Sequence, residues 1–121
     1  MLKRALFIVL AVAMSGHAAA KMEGYFTIVS TLQDNELYGG CMARLSGGGG
    51  TLTSLGYNCP SDPYVTFDCK GLLGGTKADG LRNFDAAQLA MVSGARIQIA
   101  IDDTKKINGF CYSRRVDVFA P

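Results

Sequence analysis

Few side chains in this 121-residue chain could do covalent chemistry. Its four cysteines, Cys41, Cys59, Cys69 and Cys111, could be nucleophiles, metal ligands or disulfide partners. The only histidine is His17, near the N-terminus, and no paired CxxC spacing occurs. A zinc site needs a set of closely spaced Cys and His ligands, so we expect no metal site. An even number of cysteines in an exported chain predicts two disulfides instead.

The N-terminus predicts that the chain is exported. Lys3 and Arg4 give a positive start, an apolar run follows over residues 5–14, and small residues lead up to Ala20. This is the pattern of a signal peptide over residues 1–20, cleaved after Ala20. The alternative is a retained membrane anchor, but the apolar run is shorter than the ~20 residues that a spanning helix needs.

Cleavage would leave a single domain over residues 21–121, with no membrane span and a periplasmic or secreted location. The 12 basic residues include Lys3 and Arg4, so ten basic and ten acidic residues remain beyond the leader. A near-neutral domain does not favour nucleic-acid binding. The basic pairs Lys105-Lys106 and Arg114-Arg115 are too short to change that expectation.

An enzymatic function would have to depend on carboxylates, because His17 leaves with the leader and disulfides consume the thiols. Asp102 and Asp103 form the obvious pair, but adjacent side chains point in different directions and Lys105-Lys106 follow closely. Solvated turn residues are the preferred interpretation. Asp68 and Asp85 have no recognisable partner. We therefore expect no catalytic residues and no cofactor.

A binding function has better candidates, because two tyrosines frame an irregular segment that contains both Pro60 and Pro63. Tyr rings can stack on sugar faces while Asn and Asp bond to hydroxyl groups. The alternative is that the tyrosines cover one end of the fold and pack against the prolines. The candidate ligand-binding residues are Tyr57, Asn58, Asp62 and Tyr64.

A glycine run, Gly47–Gly50, could suggest a phosphate cradle. No Lys-Ser/Thr pair follows it, and no strand-to-helix context surrounds it, so a flexible hairpin loop is the better interpretation.

Alternating apolar and polar residues predict the elements that must position these side chains. On the first strand, Phe26, Ile28 and Leu32 are expected to share one face. Asn83 is the expected cap of the one helix, Gly94 its stop, and residues 102–109 a turn-rich loop. The strands are predicted at 24–32, 37–45, 64–69, 96–101 and 110–119, and the helix at 83–93.

The order β-β-β-α-β-β predicts a mostly β fold with one helix. It is the order of a small five-stranded OB-like β-barrel, here stapled by disulfides. A sandwich is less favoured, because the strands are few and a helix lies between them.

Residues 37–118 resemble the small B subunits of bacterial AB5 toxins, especially the subtilase-cytotoxin and pertussis-like group. The pattern is carried by CMARL…GYNC, then AAQLAMVSG, then ARIQIAIDD…GFC. The resemblance implies an OB-fold, assembly into pentameric rings and glycan binding. This chain departs from the pattern in its long IDDTKKING segment and in Cys41 and Cys69, which look like an added pair. No glycan-contacting residue can be matched one for one.

Four cysteines allow three pairings. A hairpin of the strands at 37–45 and 64–69 would bring Cys41 near Cys69, and the toxin-like pattern implies Cys59 with Cys111. Two functions follow as expectations. The first is a non-enzymatic, toxin-B-subunit-like module that binds a glycan or a protein, with a pentamer as its homo-oligomer. The second is a monomeric periplasmic accessory or inhibitor protein that acts by protein–protein contact.

Overall fold

The computed structural model describes residues 22–48 and 50–121, with side chains from residue 25 onward. The expected signal peptide, residues 1–20, and His17 within it lie outside this part of the chain. The structure is mostly β, with one α-helix between the third and fourth of five strands. Its elements are β1 (Met22–Gln33), β2 (Cys41–Gly47), β3 (Tyr64–Thr66), α1 (Lys77–Ser93), β4 (Ile97–Ile107) and β5 (Phe110–Val118).

The five strands form one sheet in the order β1-β2-β3-β5-β4, and β4 pairs back onto β1. Four of the pairings are antiparallel, and the pairing of β3 with β5 is parallel. The sheet therefore closes on itself around one core. The core is made of strand residues, of the inner face of α1 and of four residues from the connecting segments, Leu52, Cys59, Phe67 and Ala95.

A bulge in β1 corrects one sequence prediction. The register with β2 shifts between Ile28 and Ser30, and this extra residue moves the later side chains to the opposite face. Phe26 and Ile28 are buried, as expected, whereas Leu32 is 45% exposed. The prediction that Leu32 shares their face is wrong, because strict alternation does not survive a bulge.

Helix α1 begins six residues earlier than predicted. Thr76 is the N-cap: its hydroxyl accepts a 3.0 Å hydrogen bond from the Asp79 N–H, and Asp79 accepts one from the Thr76 N–H in return. Asn83 is not a cap but lies inside the helix. The end at Gly94 agrees with prediction, since Gly94 takes the left-handed conformation at φ 70°. The buried residues of the helix are Gly80, Phe84, Ala87 and Ala90.

The predicted loop at 102–109 is mostly strand. β4 continues to Ile107, and β5 begins at Phe110, which pairs with it. Asn108 and Gly109 make the turn with φ values of 51° and 82°, as a type I′ hairpin requires. A register shift between Asp102 and Lys106 absorbs the extra residues.

The second and third strands are also shorter than predicted. Tyr38–Gly40 form a 3-10 turn, so β2 begins at Cys41 rather than at Leu37. Tyr38 and Gly39 have positive φ values of 60° and 75°, which ends extended structure there.

Both disulfides have the pairing favoured from the sequence. Cys41–Cys69 joins β2 to the chain that follows β3, with Cα atoms 5.7 Å apart. Cys59–Cys111 joins the segment before β3 to the start of β5, with Cα atoms 5.6 Å apart. Both distances suit a disulfide. No helix in the described residues has the length and apolarity needed to cross a bilayer.

Candidate ligand-binding site

The segment 57–64 is held firmly against the β4–β5 hairpin. Cys59 is bonded to Cys111, and the Ser61 N–H donates to the Gly109 carbonyl at 3.3 Å. The Asn58 N–H donates to Asp103 Oδ2 at 2.9 Å. A covalent bond and backbone hydrogen bonds together give this segment a defined position, which a preorganised binding site needs.

The four predicted ligand-binding residues are distributed around this segment rather than gathered at one point. Tyr57 is half-buried and packs against the core, whereas Asn58 is exposed. Tyr64 is half-buried, with its ring edge-on to Phe110 at 6.1 Å between centroids. Of the four, Asp62 is the one that lines a cleft.

This cleft, called the Asp62 cleft below, has a volume of about 390 Å³. It lies where the ends of β1 and β2 meet the connection that leads to β3. Buried apolar side chains make its floor, and half-buried or exposed residues make its rim. The floor consists of Phe26, Leu45 and Leu52, and the rim consists of Ser46, Gly47, Gly50, Thr51, Asp62 and Pro63.

The backbone holds the two sides of the Asp62 cleft together. The Leu45 N–H donates to the Pro63 carbonyl at 2.9 Å. Residues 51–56 form a compact turn in which the Leu55 N–H donates to the Thr51 carbonyl at 3.0 Å. The Tyr57 N–H donates to the Leu52 carbonyl, also at 3.0 Å.

The Asp62 carboxylate is bonded on one side only. Its Oδ2 accepts a 3.0 Å hydrogen bond from the Thr53 N–H. Its Oδ1 is buried and accepts no hydrogen bond from the residues that the structure describes. A buried acceptor without a donor costs about 1–3 kcal/mol, and more when it is charged. Because Oδ1 has almost no accessible surface, Asp62 can meet a ligand in the cleft only through its other atoms.

Most of the Asp62 cleft was not predicted from the sequence. The run Gly47–Gly50 was predicted to be a hairpin loop only, although Gly47 and Gly50 lie on the rim. Leu45 and Leu52 gave no sign beyond their apolar character. The sequence did contain one indication. A glycine run begins the connection between β2 and β3 and an Asp-Pro pair ends it, and small side chains and a turn at these places leave room for a cleft.

The carboxylates considered for catalysis have structural partners. Asp102 accepts hydrogen bonds from the hydroxyl and the N–H of Thr104, and its pKa is lowered chiefly by that hydroxyl. Asp103 Oδ2 holds the Asn58 N–H, and the Lys106 ammonium donates to the Asp103 carbonyl. The Asp102 carboxyl group thus bonds within β4, whereas the Asp103 carboxyl group joins the hairpin to the segment 57–64.

Asp68 also has a structural role, since it is buried and accepts the N–H groups of Leu72 and Leu73 at 2.9 and 2.7 Å. Arg115 and Asp117 form an exposed two-bond ion pair. Within residues 22–48 and 50–121, no cluster of three or more His, Cys, Asp or Glu residues could hold a metal ion.

Comparison with known proteins adds no relative: no family model, no curated protein and no solved structure matches this chain.

Proposed function

We propose that this chain is an exported, non-enzymatic binding module built on a small OB-like β-barrel. The strand order β1-β2-β3-β5-β4, with α1 between β3 and β4, supports the OB-like assignment. Two disulfides support export to the periplasm or the outside of the cell. The carrying observation for binding is the Asp62 cleft, in which an apolar floor is bordered by small and polar residues.

The architecture of the Asp62 cleft suits a small ligand or one protruding group of a larger one. Its volume of about 390 Å³ is near the lower end of ligand sites. An apolar floor with polar residues at its rim can orient a ligand that has both an apolar face and hydrogen-bonding groups. A sugar ring on a glycan or a side chain of a protein has both features, so the toxin-B-subunit-like function remains our proposal for this module.

The test is a binding screen with the oxidised protein, residues 21–121, against a glycan array and against proteins from an exporting host. Hits are then measured with Asp62→Asn, which keeps an acceptor for the Thr53 N–H but removes the negative charge of this lining residue. Asp85→Asn is the matched control, since Asp85 is exposed on α1. We expect weaker binding with Asp62→Asn and no change with Asp85→Asn. Equal effects of the two variants on every hit would place binding elsewhere.

A second function is supported by the outer face of α1. Leu81, Leu89 and Val92 are 45%, 60% and 78% exposed, which is unusual for three large aliphatic residues on one helix. The exposed Val29 and Leu32 lie on β1, next to β2. The pairing of β1 with β4 ends at Phe26, so within the described residues this later part of β1 has no partner strand on its other edge. Such surfaces suit protein–protein contact.

The contact surfaces fit either a ring of copies, which the AB5 resemblance would make a pentamer, or a monomeric accessory or inhibitor protein that covers another protein. Native mass spectrometry of the oxidised chain separates the two. A stable pentamer supports the toxin-B-subunit-like module, whereas a monomer at micromolar concentration supports the accessory or inhibitor protein.

A further inference from the structure

The outer side of α1 carries large apolar residues although the helix already packs its inner side against the core. Leu81, Leu89 and Val92 are all exposed, and Val92 is 78% exposed. Apolar residues on two sides are typical of a helix that is covered on both, because an aliphatic side chain gains free energy when it leaves water. Within the described residues nothing covers this outer side of α1.

Five exposed residues form a row along this side, called the outer stripe below. Successive members are three, four, four and three residues apart, so they fall within about 80° of one another around the helix axis. They are Ala78, Leu81, Asp85, Leu89 and Val92. The spacings are the same in both directions from Asp85, so the outer stripe is symmetric about its middle residue.

This symmetry suits pairing with a second copy that runs in the opposite direction. A two-fold axis through Asp85 places Leu81 opposite Leu89 of the second copy, and Ala78 opposite Val92. Large side chains then meet near the middle and a small one meets a larger one at each end, which suits helix axes about 8–10 Å apart. Antiparallel helices also place opposite ends of their dipoles side by side, which favours this direction over a parallel one.

The charges at the outer stripe are also self-complementary. Arg82 and Asp85 are both exposed, and neither forms an ion pair within the described residues. In the antiparallel pairing the two Asp85 carboxylates lie near the two-fold axis, where they would repel each other. Arg82 lies about 4.5 Å away along the helix axis, so the guanidinium of each copy can reach Asp85 of the other. Each copy then supplies one cation and one anion to the contact.

We infer that the outer stripe binds a second copy of this chain, through an antiparallel, two-fold pairing of α1 with α1. The inference rests on the second proposed function, contact through the outer face of α1, and names its partner. A stripe from Ala78 to Val92 is about 21 Å long, so the contact lies at the small end of protein interfaces. We expect a dimer with a dissociation constant of about 10–100 µM.

The test is sedimentation velocity of the oxidised protein, residues 21–121, at concentrations up to about 500 µM. Two double variants test the direction of the pairing. Leu81→Glu with Leu89→Lys brings opposite charges together only in an antiparallel pair, whereas Leu81→Glu with Leu89→Glu brings like charges together in either direction. Both remove the same two leucines, so we expect the like-charged variant to dimerise about tenfold more weakly than the oppositely charged one. Both positions are exposed, so the variants should keep the fold, which circular dichroism checks.

A charge exchange tests the contact between Arg82 and Asp85. Asp85→Arg alone gathers cations at the two-fold axis and should weaken dimerisation about fivefold or more. Adding Arg82→Asp to it restores self-complementarity and should recover most of the affinity. Leu37→Glu is the control, because Leu37 is as exposed as Leu81 but lies outside α1. It should leave the dissociation constant within about twofold of the parent value.

Two outcomes overturn the inference. One is a protein that remains monomeric at about 500 µM, and the other is equal association of the two double variants. If capture of a partner protein is nevertheless lost with Leu81→Glu and Leu89→Glu, α1 remains a contact surface and only the identity of its partner is wrong. If no association responds to these substitutions, the second proposed function fails as well. The Asp62 cleft is lined by residues outside α1, so its own binding test is independent of these results.

Discussion

Gly80 lies against the backbone of Asp68: a Cβ atom built on Gly80 would come within 2.5 Å of the Asp68 carbonyl oxygen. The first turns of α1 thus lie so close to the chain after β3 that no side chain fits at this position. This contact fixes the helix against the part of the chain that carries Cys69 and the buried Asp68 carboxylate.

The sign of the effect of Gly80→Ala tests that contact. In an open helix, alanine stabilises by about 1 kcal/mol relative to glycine. Here the added methyl meets backbone, so we expect Gly80→Ala to lower the free energy of unfolding by about 1–3 kcal/mol. Urea denaturation measures it, and a stabilised variant would show that α1 does not pack so closely.

Asp68→Asn tests the buried carboxylate. Asp68 has φ 57°, a conformation that Asn also tolerates, so the change isolates the second acceptor oxygen. One of the N–H groups of Leu72 and Leu73 loses its acceptor, and we expect a loss of about 1–3 kcal/mol. Denaturation at neutral pH is the measurement. An unaffected variant would mean that the 68–73 turn stands without the carboxylate.

Acid stability should depend in part on Asp34. Hydrogen bonds from the N–H groups of Glu36 and Leu37, with the charge of Lys70, lower the pKa of Asp34 from 3.8. A lowered pKa adds stability above the unfolded-state pKa, and that stability is lost as the pH falls through the folded-state pKa. We therefore expect Asp34→Asn to lose less stability than the parent between about pH 5 and about pH 2.

Glu36→Gln is the matched control for charge, because it removes one negative charge two residues away. Thermal unfolding at several pH values gives the comparison. If the two variants show the same pH dependence, net charge rather than the Asp34 hydrogen bonds accounts for it.

Each disulfide should contribute separately to stability. The Cys59–Cys111 bridge spans 52 residues and the Cys41–Cys69 bridge 28. Chain entropy then predicts losses of about 4 and about 3.5 kcal/mol for the respective double Ala variants. Chemical denaturation measures both. A loss well below 1 kcal/mol for either pair would show that its bridge barely restricts the unfolded chain.

A substitution on the exposed face of α1 can test whether this face contacts another protein without disturbing the fold. Val92 is 78% exposed, so Val92→Lys should change stability by no more than about 0.5 kcal/mol. If that face contacts a second copy or a partner protein, the variant should lower the associated fraction seen by native mass spectrometry or pull-down. Ala120→Lys adds the same charge at the exposed C-terminus and serves as control.

The sequence was most informative about element order. Alternation and turn residues predicted five strands with a helix after the third, and Gly94 was correctly taken as the end of α1. The start of α1 was missed because Gly74, Gly75 and Gly80 suggested a loop, although Thr76 and Asp79 already formed a capping pattern. Capping and tertiary packing here outweigh the low helix propensity of glycine.

The hairpin of β4 and β5 was missed for a different reason. Asp102 to Lys106 are polar, and polarity was taken for a loop, yet the Asn108-Gly109 pair is a strong hairpin indication that places strand on both sides. The candidate site was least predictable. Asp62 was predicted as a ligand-binding residue. The floor of its cleft, however, comes from three separate parts of the chain, and no local sequence pattern shows that they are in contact.

The order of the cysteines along the chain has a topological consequence. One bridge runs from Cys41 to Cys69 and the other from Cys59 to Cys111, so the two loops overlap and neither encloses the other. A protease that cuts any one peptide bond between Cys41 and Cys111 leaves two pieces still joined by at least one bridge. In surroundings rich in proteases and without means of repair, a copy of this protein that is nicked once within this span remains one covalent molecule.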